Sequence, residues 1–313
     1  TEISDETFTE LKNAYYAKPD ISAVKKEMIS ISKGGTKNTE ITNYFVKDLM
    51  AKTKLYHSKW SIEDVFECKD LLSYFVERCS HNEKVFPKTN SLIKNVKTCL
   101  RLGGKGVALN PSNFPIKTVD YILAKYNKNN CWYDFSCGWG ARLTGSLKND
   151  VNYFGTDPNY LLTLRLGDLA KMWRVAVGHK PYTEIRTQGS ELFVPEWEGK
   201  MGLAFSSPPY FCLEDYKIGK QSWNENVNYD MSLSGYMTDT IKNIYRYLIS
   251  DGVFAINVNN FANYNLVGDI KKIALDNGFE HVTTEALDNI KRTNSNSGFN
   301  DNSEGIMIFK KKN

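Results

Sequence analysis

The apolar run Met201-Gly202-Leu203-Ala204-Phe205 ends in Ser206-Ser207-Pro208-Pro209-Tyr210. Nothing in the run alternates with polar residues, so it reads as a strand covered on both faces. It has to stop at the prolines, which have no N–H for a ladder and a fixed φ. One sheet edge thereby receives two hydroxyls, the Pro208 carbonyl and an aromatic ring. Six other short runs, 131–135, 153–156, 184–187, 253–258, 281–284 and 305–309, have the same strand character. Stretches of helical spacing, such as 141–147, 160–173 and 235–249, fall between most of them. This alternation predicts an α/β fold with a mainly parallel, doubly wound sheet. Residues 289–304 are polar and rich in Asn and Ser, which predicts a long hairpin loop and an antiparallel last strand.

The N-terminal third reads differently. Residues 5–16 and 43–51 carry apolar residues at helical spacing. Ser61-Ile62-Glu63-Asp64 has the form of a capping box before a helix that carries Val65, Phe66, Leu71, Leu72, Phe75 and Val76. Gly34-Gly35 and Gly103-Gly104 mark breaks. The expectation is a mainly helical region over 1–107 and an α/β domain over 108–313. Charge divides along the same line: residues 1–109 hold 18 Lys and Arg against 14 acids, whereas 110–313 hold 22 of each. Lys84, Lys88, Lys94, Lys97, Arg101, Lys105 and Lys117 fall in a stretch, 84–119, without a single acid. Such a run fits either a phosphate backbone or a solvated helix face.

No run of about eighteen apolar residues occurs, so no membrane span is expected. The opening Thr1-Glu2-Ile3-Ser4-Asp5-Glu6 lacks a signal-peptide pattern. Six cysteines without a Cys-x-x-Cys pair, beside four histidines, argue against a zinc site. Reduced thiols in a cytoplasmic setting are the expectation.

A second motif lies about seventy residues before the prolines. Asp134-Phe135-Ser136-Cys137-Gly138-Trp139-Gly140 follows one predicted strand and opens a predicted helix. Glycines at that position let a backbone approach a ligand at a helix N-terminus. By itself the pattern is also that of an ordinary tight turn. The next strand ends in Thr156-Asp157-Pro158, where doubly wound folds keep an acid for ribose hydroxyls. The third ends at Gly189-Ser190-Glu191 and the fourth at Ser207-Pro208-Pro209-Tyr210. Four successive strand ends thus carry ligand-type residues.

In these motifs the chain resembles the S-adenosylmethionine-dependent DNA amino-methyltransferases, over roughly residues 108–313. Ser-Pro-Pro-Tyr is the form associated with N4-cytosine enzymes, and Asp-Pro-Pro-Tyr the usual N6-adenine form. The resemblance implies a Rossmann-like methyltransferase with a seven-stranded mixed sheet and S-adenosylmethionine as cofactor. It implies that Asn110, Ser112 and Phe114 lie beside the methionine end of the cofactor. Asp134 and Ser136 would approach the methionine moiety, and Gly138 and Gly140 would give backbone access. Asp157 would take the ribose, Glu191 would lie near the adenine, and Ser206 would border the same site. Ser207, Pro208, Pro209 and Tyr210 would hold the target base. The chain departs from the family in having Phe135-Ser136 where Pro-Phe is usual.

The implied chemistry needs no covalent intermediate, so Cys137 and Cys212 read as packing residues. A ring-conjugated amine is a poor nucleophile. Hydrogen bonds from its N–H groups to Ser207 and to the Pro208 carbonyl would localise its lone pair. A base within a duplex has to be flipped out to reach such a pocket. The implied partner is DNA, with the same chemistry on RNA as the alternative. A non-catalytic nucleic-acid-binding module is the rival of another class. The segment 212–230 follows the catalytic motif directly, and Trp223 and Tyr229 could stack on bases or anchor that loop. Trp139 reads as packing, and Arg142 as reaching a phosphate or a carboxylate. His57, His81, His179 and His281 are assigned no role.

Overall fold

The structure is a computed structural model that describes residues 3–55, 58–102, 109–208, 214–215, 229–260, 264–286 and 305–312. Pro209, Tyr210, Cys212 and Trp223 lie outside the described residues, as does the predicted hairpin loop 289–304. The chain divides into a helical unit (1–21, 43–112 and 212–218) and an α/β unit (22–42, 113–211 and 219–313).

The α/β unit is built on seven strands. Two very short strands of the helical unit, β1 (Lys54–Leu55) and β6 (Glu214–Asp215), pair antiparallel apart from them. The large sheet contains β2 (Cys131–Asp134), β3 (Asn152–Asp157), β4 (Thr183–Thr187), β5 (Met201–Ser206), β7 (Leu248–Val258), β8 (Phe279–Ala286) and β9 (Gly305–Lys311). Their order across the sheet is β4-β3-β2-β5-β7-β9-β8. The first five are parallel, and β9 runs antiparallel between β7 and β8. This is the expected Rossmann-like, seven-stranded mixed sheet with an antiparallel last strand. Chain order reverses between β2 and β5, so a crevice opens at their C-terminal ends, where such folds bind ligands.

Burial follows position in the sheet. Every residue of the central strand β5 is buried, whereas edge strand β4 is half-buried along most of its length. One face carries Tyr133, Phe135, Phe154, Ala204 and Phe254, packed under helices Thr238–Tyr247 and Leu266–Asp276. Helices Ile116–Tyr126 and Ala141–Lys148 approach each other closely: a Cβ on Gly145 would come within 2.4 Å of Val119. Helix Tyr160–Val177 starts on an Asn159 cap and stops at Gly178, whose φ of 97° suits a C-terminal glycine.

Several boundaries differ from the sequence reading. Strand β7 begins at Leu248, which pairs with Met201, five residues before the apolar run that announces it. The helix expected over 235–249 is therefore a π-helical turn, Ser232–Met237, followed by Thr238–Tyr247. Helix Ile21–Ser32, not anticipated, buries Val24, Met28 and Ile31.

In the helical unit Ser61 caps as expected. Its Oγ accepts from the Asp64 N–H at 3.1 Å, and the Asp64 carboxylate accepts from the Ser61 N–H at 2.7 Å. The helix after it is two helices, Ile62–Glu67 and Lys69–Ser80, because Cys68 between them takes an extended backbone. The helix expected over 43–51 is likewise split at Val46, with φ −134° and ψ −2°. Helix Leu92–Leu102 turns Val96, Cys99 and Leu100 into the unit's core.

The expectation that all thiols are reduced is overturned at one pair. Cys79 and Cys99 are joined in a disulfide with Cα atoms 6.0 Å apart. Both are buried on facing helices, which no Cys-x-x-Cys spacing announces. Closing a loop of this size is worth about 3 kcal/mol. Cys79→Ser should therefore lower the melting temperature by several degrees, and a non-reduced digest should contain the linked peptides. Free alkylation of both thiols in denaturant without reductant would refute the bond.

Candidate active site

The crevice is closed by the turn that leaves β2. Asp134, the last residue of that strand, has no exposed surface. Its carboxylate accepts from Arg142 Nε at 3.0 Å and from the Tyr153 hydroxyl at 2.7 Å. A buried carboxylate needs such partners, because desolvation of an unpaired charge costs several kcal/mol. Arg142 also donates to the Ser136 carbonyl, so one guanidinium spans the turn from its base to its crest. Burial alone would lower the Arg142 pKa, but the adjacent Asp134 carboxylate reverses this and holds it above the usual value. Of the two partners foreseen for Arg142, the carboxylate is the one found, and it belongs to Asp134. The Asp134 carboxylate is thus engaged by two side chains of the protein itself.

The glycines have a local cause. Gly138 and Gly140 take φ of 60° and 88°. A Cβ on Gly138 would stand 3.0 Å from Arg142 Nη2, and one on Gly140 2.9 Å from Leu166 Cδ2. Both are required by left-handed backbone and by side chains of the protein itself. The turn is stitched to its neighbours on two sides. The Cys137 N–H donates to the Thr156 carbonyl at 3.2 Å, and Ser206 Oγ donates to the Ser136 carbonyl at 3.1 Å. Burial, followed by the charges of Asp134 and Asp157, pushes the Cys137 thiol well up, which fits a packing residue and not a nucleophile.

Asp157 ends β3 beside this turn, 8% exposed. It accepts from the Asn159 N–H at 2.9 Å. Burial raises its pKa to about 6, against the opposing N–H groups of Asn159 and Gly138. The Gly189–Glu191 segment after β4 is held from behind. Ser190 Oγ lies 2.8 Å from Thr240 Oγ1, and Asn243 Nδ2 donates to the carbonyls of Ser190 at 3.0 Å and Glu191 at 2.9 Å. The Glu191 carboxylate folds back over Gly189, where a Cβ would meet it at 2.1 Å.

At the end of β5, Ser207 is half-buried and Pro208 buried. Asn257 Nδ2, from β7, donates to Ser207 Oγ at 3.4 Å. Phe114 packs edge-on against Phe205 at 5.7 Å, with the Arg142 guanidinium 5.4 Å from its ring centroid. The structure thus gathers Phe114, Asp134, Ser136, Gly138, Gly140, Asp157, Ser206, Ser207 and Pro208 around one turn and its neighbouring strand ends. Glu191 stands on the segment after β4. Asn110 and Ser112 fall in the helical unit. Sequence reasoning missed Tyr153, Asn243 and Asn257. Of these, only Asn257 left a signal, as a polar residue inside the apolar run 253–258. The Tyr229 ring stacks on Tyr264 at 4.3 Å and its hydroxyl donates to Asp269 at 2.6 Å. Trp139 is buried, as expected of a packing residue.

No family model matches this chain, and no curated protein matches it. Among solved structures, it is similar to a TehB-like SAM-dependent methyltransferase from Corynebacterium glutamicum, at 15% identity, over 63% of this chain and 88% of that one, with a TM-score of 0.42. It is also similar to magnesium protoporphyrin IX methyltransferase from Synechocystis with bound SAM, at 12% identity over 80% and 95%, TM-score 0.41. A third is the CcbJ methyltransferase from Streptomyces caelestis, at 9% identity over 63% and 94%, TM-score 0.47.

Removing Asp134 strands the Arg142 charge in the interior. Asp134→Ala should cost about 3–5 kcal/mol, read as the loss in a urea or thermal unfolding curve. A loss under about 1 kcal/mol, the scale of an exposed pair, would mean that water reaches the pair.

Proposed function

We propose that this chain transfers a methyl group from S-adenosylmethionine to the exocyclic amine of a DNA base, with N4 of cytosine ahead of N6 of adenine. The observation that carries this reading is the Ser207-Pro208 strand end, oriented by Asn257, on the same sheet edge as Asp157 and the Gly138–Gly140 turn. A hydroxyl and a proline carbonyl on a rigid strand end are two acceptors suited to one planar amine.

The residues fit the cofactor. A carboxylate whose pKa stands at about 6 is short of donors. Two ribose hydroxyls would supply them, so Asp157 is the residue that would hold the adenosyl sugar. The Gly189–Glu191 segment would border the adenine, and Phe114 and the 136–140 turn would border the methionine side. Bound there, S-adenosylmethionine supplies an electrophilic methyl group on a sulfonium. The protein's own part is to hold the acceptor. Because Asn257 donates to Ser207 Oγ, that oxygen keeps one lone pair for an amine N–H. With the Pro208 carbonyl taking the second N–H, the nitrogen lone pair is drawn out of conjugation with the ring. Preorganised acceptors of this kind act without reorganising during the reaction.

Incubation with labelled S-adenosylmethionine and mixed-sequence DNA or RNA, followed by nucleoside mass spectrometry, tests the reading. N4-methylcytosine in DNA is expected, with N6-methyladenine the second outcome within it. Ser207→Ala should reduce turnover about 100-fold, the scale for one preorganised hydrogen bond, with cofactor affinity within twofold. Label in RNA alone would move the substrate to RNA. No label in either, with cofactor bound, would overturn the acceptor class, and no cofactor binding would overturn the enzyme.

Asp157 also sets a pH dependence. Its folded pKa is raised, so the free site takes up a proton as pH falls through about 6. Ribose donors favour the ionised form, and cofactor Kd should rise toward about tenfold per pH unit below that point. Calorimetry at pH 5, 6 and 7.5 measures it. A flat profile in the wild type, matching Asp157→Asn, would remove Asp157 from the cofactor site.

A further inference from the structure

We propose that the helical unit grips nucleic acid by its phosphodiester backbone, through Lys84, Lys88, Lys94, Lys97 and Arg101. The choice of DNA over RNA as ligand rests on the function proposed above; the surface itself does not.

Helix Leu92–Leu102 is divided sharply. Asn95, Val96, Cys99 and Leu100 are buried, while Lys94, Lys97 and Arg101 are exposed. The three cations stand at spacings of three and four residues, so they form one stripe about 10 Å long on the outer face. Like charges at these spacings each destabilise a helix by a few tenths of a kcal/mol. The stripe therefore gives the fold nothing. Two other cations of the same unit are paired, Lys52 with Glu63 at 3.9 Å and Lys69 with Asp5 at 2.6 Å. Among the described residues, none of the five forms an ion pair.

The two lysines before the helix are exposed and their segment is fastened to it. Asn95 Nδ2, buried in the second helical turn, donates to the Pro87 carbonyl at 3.0 Å. The Cys79–Cys99 disulfide bonds the helix to the one before it, so 80–98 is a closed loop. The cations are thus carried on a braced frame, which lowers the ordering cost of binding.

The chemistry selects a phosphodiester chain over an anionic membrane. A basic helix that lies on a bilayer inserts its apolar face. Here Val96, Cys99 and Leu100 are committed to the core of their own unit. What remains is charge without an apolar anchor, which matches a polyanion held by its phosphates.

The test is fluorescence anisotropy of the full chain with labelled mixed-sequence duplex DNA across a potassium chloride series. It compares the wild type with Lys94→Ala/Lys97→Ala/Arg101→Ala. Each phosphate that the protein no longer neutralises should flatten the slope of log K against log salt by about 0.9, so the triple variant should lose about 2–3. The loss should be uniform across sequences. Cofactor affinity and melting temperature serve as controls and should stay at wild-type values. An unchanged slope in a folded variant overturns the proposal, as does a wild type that binds only phosphatidylserine vesicles; a wild type that binds only RNA refutes the choice of DNA. Methyl transfer is not the readout. A chain that binds DNA through this stripe without methylating it refutes only the proposed reaction, and one that methylates DNA with an unchanged slope refutes only the surface.

Discussion

The buried pair between Asp134 and Arg142 is the interaction on which the rest of the α/β unit's crevice depends. It sits at the C-terminal end of the central pair of strands, where chain order reverses. The acid comes from the strand and the base from the helix that follows, so a single ion pair fixes the turn between them. Tyr153 adds a bond from the neighbouring strand. The guanidinium in turn reaches the Ser136 carbonyl and lies against Phe114. Gly138 is glycine partly because Arg142 fills the space beside it. A turn held by charge inside an apolar wall has few alternative conformations, since any displacement leaves a charge unpaired.

Around that fixed turn the other strand ends are positioned by shorter links. Ser206 binds the turn from one side and Thr156 from the other. Asp157 stands within this frame as an acid with a raised pKa, next to a paired acid at Asp134. The two carboxylates lie in contrasting surroundings. One is matched by a cation and a phenol and is finished as a structural element. The other meets the backbone N–H groups of Asn159 and Gly138, and burial leaves its pKa raised. Ser207 is set apart again, tied to β7 through Asn257 rather than to the turn.

Much of this was legible in the sequence, for a physical reason. Strand ends in a parallel sheet are abrupt, and Ser207-Pro208, Asp157 and the Gly138–Gly140 turn each announce one. Most of the seven strands follow from apolar runs, and the antiparallel last one from the polar stretch at 289–304. What did not show was whatever depends on distant partners. Tyr153 reads as a strand aromatic, and only the fold turns its hydroxyl to Asp134. Asn243 lies on a helix with no motif around it. Leu248 joins its strand because Met201 lies beside it, not because its own neighbours are apolar. The disulfide follows the same rule: Cys79 and Cys99 are ordinary helix residues until two helices bring them face to face. Cys68 and Val46, which break helices, are residues that local propensity would have passed through.

The place of β9 has a consequence for how the sheet is completed. Strand β8 touches the sheet only through β9, and β9 fills the gap between it and β7. During synthesis β8 emerges before β9, its one neighbour in the finished sheet. The half of the sheet holding β2 to β5 and β7 can assemble before that neighbour arrives. Only when 305–311 leaves the ribosome can both edges be joined at once. The final closure of this sheet is therefore an insertion rather than an addition, and the strand made last is the one that covers the open edge of β7.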